Sequence, residues 1–234
     1  MRSAGKTMTK DERFKDMPLR LLKYFGGLFI MTAGIAFSVL SDLGVSPLSS
    51  LPYAVELCGG IEMGAGTSIM HAGFVLIQIL LLRKRFRPVM LLQVPVGIVF
   101  GWFTTLCNSL VGMIPRSEFF PLQLLFQLVS IILVAVGIHF YLPANIMPLA
   151  GEGIVSAITE VSGWQFGKVK IGFDSATVII AAVICFIGIG KLGSVGIGTV
   201  LSALLTGTFI AWIDKFFGKK KRQHTSGSNP EHKK

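Results

Sequence analysis

Charged residues are scarce in this sequence. Asp, Glu, Lys and Arg make up 15% of its 234 residues, whereas hydrophobic residues make up 52% and the mean hydropathy is +0.68. Soluble domains carry about 25% charged residues, which cover their water-facing surface. The composition therefore excludes an ordinary soluble domain and indicates an integral membrane protein.

Long polar segments are also missing between the two ends of the chain. Apolar runs of about 18 to 25 residues can cross roughly 30 Å of hydrocarbon as helices. Such runs lie at residues 24–41, 64–82, 89–114, 122–142, 171–190 and 192–213. We predict an all-α polytopic membrane protein with six transmembrane helices. Its predicted parts are a basic tail at 1–23, membrane repeats at 24–114 and 115–214, and a second basic tail at 215–234.

Acidic residues number only 12, against 22 Lys and Arg, and the basic residues cluster outside the apolar runs. With a cytoplasmic N-terminus, six spans place 20 of the 22 basic residues on the cytoplasmic side and leave Arg116 and Lys191 outside. This distribution obeys the positive-inside rule. The clusters RKRFR (83–87) and KKKR (219–222) therefore indicate topology anchors that attract anionic lipid. Without aromatic interleaving or a nucleic-acid motif, they do not indicate a nucleic-acid partner.

Cysteine is rare, and catalytic motifs are missing. Cys58, Cys107 and Cys185 lie in apolar surroundings without C-x-x-C spacing, which favours structural thiols over a disulfide or a metal site. The sequence has no G-x-S-x-G, H-E-x-x-H or Walker motif. We therefore predict no enzyme activity, no metal and no cofactor. ATP-driven transport by this chain alone is excluded.

An internal repeat is present. An offset of 103 residues aligns GIAF (34–37) with GIHF (137–140), Asp42 with Asn145, Ala54 with Ala157, and Gly60 with Gly163. Later the offset becomes 110 residues and aligns Gly97 with Gly207. Because each half contains three spans, the second half enters the membrane from the opposite side. The fold prediction is thus two inverted three-helix repeats, an architecture typical of secondary transporters.

Each half has a Gly- and Pro-containing break after its first span. The breaks are SDLGVSPLSSLPYAVELCGG (41–60) and PANIMPLAGEGIVSAITEVSG (143–163). Irregular backbone cannot face lipid, because each unpaired N–H or C=O costs several kcal/mol there. We therefore predict re-entrant segments with short helices. In the first break, Ser46 is predicted to cap a helix that begins at Pro47 and ends at Gly59–Gly60.

The first turns of these short helices are the predicted substrate site. Exposed N–H groups and the positive end of the helix dipole attract a carboxylate or another anion. The candidate binding residues are Ser46, Ser49, Ser50, Gly151, Glu152 and Gly153. Helix capping and close packing are the alternative roles of the serines and glycines. Glu152 could bind a cation, accept a proton or cap its helix.

Ionisable residues inside a span are costly and often functional. Asp174 follows Lys170 by four residues in KVKIGFD, and its repeat partner is His71. We predict these three residues as the coupling site, where a proton or cation binds. A simple i, i+4 ion pair near the cytoplasmic interface is the alternative for Lys170 and Asp174.

Several segments carry a family resemblance. They are LGVSPLSSLPYA, FRPVMLLQVPVGIVFG, LAGEGIVSAI, FGKVKIGFD and GIGTVLSALLTG. Together they resemble the YczE/YitT-like family of bacterial integral membrane proteins, over nearly the whole chain between the tails. The resemblance implies a multi-pass protein of the bacterial cytoplasmic membrane. It supplies no catalytic or binding residues.

These observations favour a secondary transporter, coupled to protons or sodium, for a small anionic or zwitterionic metabolite. Two alternatives remain: a substrate-binding membrane subunit of an ATP-driven uptake system, and a non-transport membrane scaffold or enzyme. The expected partners are membrane lipid and the small-molecule substrate, with a homodimer or energising subunits left open. Both termini are expected in the cytoplasm.

Overall fold

The computed structural model describes residues 17–216, so residues 1–16 and 217–234 of the two predicted tails lie outside the described residues. Within that range the chain forms α-helices and two short 3-10 helices, and no strand. The α-helices are α1 (Met17–Ser41), α2 (Pro47–Gly59), α3 (Met63–Leu82), α4 (Gln93–Val111), α5 (Phe120–Ala144), α6 (Ala150–Ser162), α7 (Phe166–Ile189) and α8 (Ile197–Phe216). The 3-10 helices, Arg83–Arg85 and Pro88–Leu92, join α3 to α4.

Six of these helices, α1, α3, α4, α5, α7 and α8, are long and apolar enough to cross a membrane. Large side chains such as Leu80 and Ile187 are exposed on the outer surface of the bundle. Such a surface suits lipid and not water. The prediction of an all-α polytopic membrane protein is therefore confirmed.

The last span begins later than its predicted first residue, 192. Gly190 and Gly193 have φ angles of 68° and 47°, values in the left-handed region that ends helices. The N–H of Gly198 donates to the carbonyl of Leu43 at 2.7 Å. The segment between α7 and α8 is therefore a turn against the first break, and α8 begins only at Ile197.

The two breaks contain the short helices α2 and α6, each of 13 residues. Proline occupies the first turn of α2, where its missing N–H removes no intrahelical hydrogen bond. Each short helix ends at a left-handed glycine: Gly60 at φ 68° and Gly163 at φ 71°. The predicted bounds of the first short helix, Pro47 to Gly59, are confirmed.

Helix positions follow the repeat. The first helix, the short helix and the second long helix of each half begin 103 residues apart, as α1 and α5, α2 and α6, and α3 and α7. The first helices both have 25 residues. Asp42 and Asn145, which follow them, both have positive φ, at 55° and 48°. The backbone thus has the same local plan in each half.

The helices α1 and α5 pack closely through glycines. A Cβ placed on Gly27 would lie 2.6 Å from the backbone nitrogen of Tyr141, and one on Gly34 would lie 2.8 Å from the backbone oxygen of Ser130. As residue numbers increase along α1, the numbers of the residues that they contact on α5 decrease, so the two helices are antiparallel. Small residues permit this approach of two backbones. An inverted repeat requires antiparallel first helices, although the inversion of the complete halves stays a prediction.

Each short helix packs on the other half of the chain. The helix α2 lies against α7, and α6 lies against α3. Ala54 and Ala181 pack together in the first of these contacts, while Val75 and Ile154 share a cluster in the second. This exchange places both short helices between the two halves.

Candidate functional site

A cavity of about 400 Å³ lies where the two short helices begin. Side chains from all eight helices and from the loops before α2 and α6 line it. Seven of the nine predicted site residues are among them: Ser46, Ser49, His71, Gly151, Glu152, Lys170 and Asp174. The structure thus brings together residues that lie up to 128 positions apart in the sequence.

The other two predicted residues, Ser50 and Gly153, do not line this cavity. The hydroxyl of Ser50 is buried and donates to the carbonyl of Pro47 at 2.6 Å. A Cβ placed on Gly153 would lie 2.7 Å from Oε1 of Gln93. Both residues are therefore positioned for packing, the alternative that the sequence left open.

The first turn of α2 has no side-chain cap. Ser46 is the residue before the helix, but its hydroxyl makes no capping bond and donates instead to Oγ of Ser49 at 3.0 Å. The predicted capping by the Ser46 side chain is therefore wrong. Since first-turn N–H groups lack intrahelical acceptors, those of Leu48 and Ser49 stay available at this helix end.

The first turn of α6 carries a carboxylate. Glu152 is the acidic residue of this turn, where the positive end of the helix dipole favours a negative charge. The hydroxyl of Tyr141 donates to Oε2 of Glu152 at 2.6 Å and accepts the N–H of Leu149 at 2.8 Å. Tyr141 thereby fixes both the carboxylate and the start of the helix.

The two first turns meet directly. A Cβ placed on Gly151 would lie 2.7 Å from Cδ2 of Leu48, and these two residues are related by the 103-residue offset. Contact between equivalent residues places this point at the junction of the two copies. The same offset relates Ser49 to Glu152. One half therefore presents a hydroxyl where the other presents a carboxylate.

His71 on α3 is fully buried at 0% exposure, although it lines the cavity. Neither of its ring nitrogens has a hydrogen-bond partner in the described part of the chain. Its ring stacks on Phe100 with 5.6 Å between ring centroids, and Gly97 leaves room for its Cβ. Packing thus fixes the imidazole while both of its polar atoms stay unsatisfied.

Lys170 and Asp174 form an ion pair on α7, one turn apart. The Nζ atom of Lys170 lies 2.5 Å and 2.6 Å from the two carboxylate oxygens of Asp174. The two side chains are 38% and 24% exposed. The pair has the geometry of the simple i, i+4 alternative, and it also lines the cavity.

Several lining residues were not predicted. Four of them carry hydroxyl groups: Thr67, Thr104, Ser202 and Thr206. Thr67 lies one turn before His71, and Ser202 lies one turn before Thr206. Polar residues four positions apart in an apolar span share one helix face. That spacing could have identified them from sequence, whereas Tyr141 has no comparable local signal.

Side chains from the long helices bind the second break and link the helix ends beside the first break. Tyr24 on α1 donates to the carbonyl of Met147 in the second break at 2.7 Å. Gln127 on α5 accepts from Ser41 at 2.8 Å and donates to the carbonyl of Gly198 at 3.0 Å. Tyr24 and Gln127 are again related by the offset of 103. The bond from Tyr24 meets the requirement that non-helical backbone at membrane depth be paired within protein, while the bonds of Gln127 join α5 to the end of α1 and the start of α8.

The sequence is similar to two proteins of Bacillus subtilis (strain 168). It is 26% identical over 200 residues to uncharacterized membrane protein YczE, which covers 84% of this chain and 86% of that protein. It is 24% identical over 209 residues to uncharacterized protein YyaS, which covers 86% of this chain and 97% of that protein. No solved structure matches this chain.

A family model also matches the chain. This model describes a family of unknown function, DUF6198, and it matches residues 18–215, which span the six membrane helices except for Met17 and Phe216 at the two ends. Together with the relatives, this match confirms the YczE-like part of the resemblance, while its YitT part stays a prediction. The chain belongs to the DUF6198 family of membrane proteins.

Proposed function

We propose that this protein is a secondary transporter, coupled to protons or sodium, for a small anionic or zwitterionic metabolite. The observation that carries the proposal is the cavity at the meeting point of α2 and α6. Interrupted helices at the junction of two repeats are where transporters of this architecture bind substrates. The antiparallel packing of α1 and α5 supports the same architecture.

The ionisable lining residues support coupling. Glu152, Asp174 and Lys170 surround the cavity together with His71. Charged groups inside a membrane bundle are costly, and they are commonly retained where protons or ions move. Carboxylates suit protons and sodium equally, so the proposal includes both ions.

A flux measurement tests the proposal. Anionic and zwitterionic metabolites are first screened by thermal shift on the purified protein, since a ligand at 100 times its Kd adds about 2.7 kcal/mol of stability. The hit is then used in counterflow with proteoliposomes. We expect labelled hit to exchange into preloaded proteoliposomes, and an imposed proton or sodium gradient to drive its accumulation.

Protein-free liposomes, and proteoliposomes without a gradient, are the controls for this measurement. Tight binding without any exchange would contradict the transporter. That outcome would favour the alternative of a substrate-binding membrane subunit that needs an ATPase partner. The absence of both binding and exchange would favour a scaffold or enzyme.

We also propose an orientation in the bacterial inner membrane, with both termini in the cytoplasm, from the distribution of basic residues. In a cysteine-free background, a membrane-impermeant maleimide is expected to label Glu118→Cys, between α4 and α5, in intact cells. His224→Cys, which lies outside the described residues, should be labelled only after lysis. Labelling of His224→Cys in intact cells would exclude this orientation.

A further inference from the structure

The charges around the cavity are unbalanced. Lys170 and Asp174 neutralise each other in their ion pair. Glu152 accepts one side-chain hydrogen bond among the described residues, from the Tyr141 hydroxyl to Oε2. It also lies near enough to Lys170 to interact with it electrostatically, but one ammonium group cannot neutralise two carboxylates, so one negative charge remains. The lone pairs of Oε1 are left for a ligand. A carboxylate beside an apolar cavity favours a cationic partner, because a buried charge needs a counter-charge.

The other half of the cavity has the opposite character. Ser49 stands at the position equivalent to Glu152, so the first turn of α2 contains no acidic residue. Ser46 donates to Ser49, which leaves the Ser49 hydroxyl proton free to donate to a ligand. Together with the first-turn N–H groups, this arrangement is suited to a carboxylate.

His71 is the independent sign of a ligand in this half. It is fully buried, it lines the cavity, and both of its ring nitrogens lack a partner in the described residues. Buried polar atoms are normally hydrogen-bonded, so an unsatisfied pair requires an explanation. Nδ1 lies beside Gly97, 2.9 Å from where a Cβ of that residue would be, which leaves Nε2 for a ligand. A carboxylate bound at the first turn of α2 would accept the N–H of Nε2.

The rest of the cavity wall is mainly apolar. Its side chains include Met31, Ile35, Met70, Phe100, Val134 and Ile138. The volume of about 400 Å³ suits a small metabolite, as ligand pockets start at about 300 Å³. A ligand that fills this cavity would therefore have an apolar body.

We propose that the cavity binds a zwitterion of the amino-acid type with an apolar side chain. Its ammonium group pairs with Glu152, its carboxylate binds the first turn of α2 and His71, and its side chain contacts the apolar wall. This inference narrows the substrate class of the proposed transporter and rests on that function for its biological use. Binding itself is measurable without transport.

The test compares phenylalanine and leucine with analogues that keep only one charge. These are the acids phenylpropanoate and isocaproate, and the amines phenethylamine and isoamylamine. Binding to the purified protein in detergent is measured by thermal shift and equilibrium dialysis. We expect each amino acid to bind at least about tenfold more tightly than its two analogues. Each analogue lacks either the ammonium or the carboxylate group and so leaves the corresponding polar groups of the cavity unpaired.

Substitutions test which residues bind the ammonium group and which bind the carboxylate group. Glu152→Gln should weaken amino-acid binding at least about tenfold and leave the acids unaffected, since only the ammonium contact is lost. His71→Phe, which keeps an aromatic ring against Phe100, should weaken the amino acids and the acids but not the amines. Glu160→Gln is the matched control, as it makes the same change on an exposed part of α6. It should bind like the unmodified protein.

Three outcomes would overturn the inference: amines or acids that bind as tightly as the amino acids, an effect of Glu160→Gln equal to that of Glu152→Gln, or no binding of any of the six compounds. The flux measurement is separate. Amino-acid binding without exchange would support this inference and contradict the transporter. Exchange of a simple anion, without preference for zwitterions, would support the transporter and contradict this inference.

Discussion

Asp174→Asn is expected to abolish gradient-driven accumulation while leaving substrate binding and passive exchange intact. Asp174 lines the cavity and is held by Lys170 at 2.5 Å and 2.6 Å. When α7 moves, the Asp174 carboxylate can bind a proton or a sodium ion. The Asn amide has no negative charge and can therefore replace the carboxylate in neither role. Exchange at equal concentrations requires no net movement of the coupling ion, so it should survive.

The measurement uses proteoliposomes with an imposed proton or sodium gradient. Accumulation by the Asn variant should fall at least about tenfold, to the level set by exchange alone. Asp214→Asn is the matched control: Asp214 on α8 pairs with His139 at 2.5 Å but does not line the cavity. This control removes a hydrogen-bonded carboxylate without touching the proposed coupling site, and it should keep its accumulation.

The alternative role of Asp174 makes a different prediction. A purely structural i, i+4 pair near the surface stabilises a protein by about 0.3–0.5 kcal/mol. Asp174→Asn would then lower the thermal stability slightly, and coupling would persist. Unchanged gradient-driven uptake by the Asn variant would therefore exclude Asp174 as the coupling site, even if the variant were less stable.

The helices of this protein were predictable because the hydrocarbon interior of a membrane constrains the local backbone structure strongly. Long apolar runs must be helical, and irregular backbone must be shielded. The break at 41–60 could therefore be interpreted as a re-entrant segment, and the short helix Pro47–Gly59 has its predicted bounds. The start of α8 was missed because it depends on a distant contact between Gly198 and Leu43.

Much of the candidate site also followed from the repeat. The offset of 103 gave Asp174 and His71 as equivalent residues, and the structure places both at one cavity. The partners of these residues were not predictable. The bond from Tyr141 to Glu152 and the isolation of the His71 nitrogens depend on packing between helices. A one-dimensional pattern does not specify such packing.

The difference between the two halves has a physical consequence for the cavity. Perfect copies would present the same groups from both sides. Here Ser49 and Thr67 in the first half correspond to Glu152 and Lys170 in the second. Among the residues that line the cavity, the first half therefore contributes hydroxyl groups and the imidazole of His71, while the second half contributes both carboxylates and the ammonium group.

Combining Ser49→Ala with Gly151→Leu is expected to abolish ligand binding and to leave the helical bundle folded. A Cβ on Gly151 would lie 2.7 Å from Cδ2 of Leu48, the far end of a flexible side chain. The backbones can therefore stay in place, while the added leucine fills the space between the two first turns. The alanine removes the Ser49 hydroxyl from the same place. We expect at least about a 100-fold loss of affinity, because the ligand loses the Ser49 hydroxyl as a partner and the added leucine also blocks the cavity.

The matched control is Ser109→Ala with Gly26→Leu. Ser109 is an exposed residue of α4, and a Cβ on Gly26 in α1 would have nothing within 4 Å. The control makes the same two chemical changes in membrane helices at residues that do not line the cavity. Binding of the thermal-shift hit should therefore be retained, with both double variants showing the same helical content by circular dichroism.

Normal binding by the Ser49→Ala, Gly151→Leu protein would place the site elsewhere. A smaller cavity of about 170 Å³ lies along the second break and is lined by Tyr141, Asn145 and Met147 among others. Tyr141 also holds Glu152, so a ligand there would still be sensitive to Glu152→Gln through the position of the Tyr141 hydroxyl. It would not respond to His71→Phe, because His71 lines only the larger of these two cavities. The pair of variants therefore distinguishes the two locations.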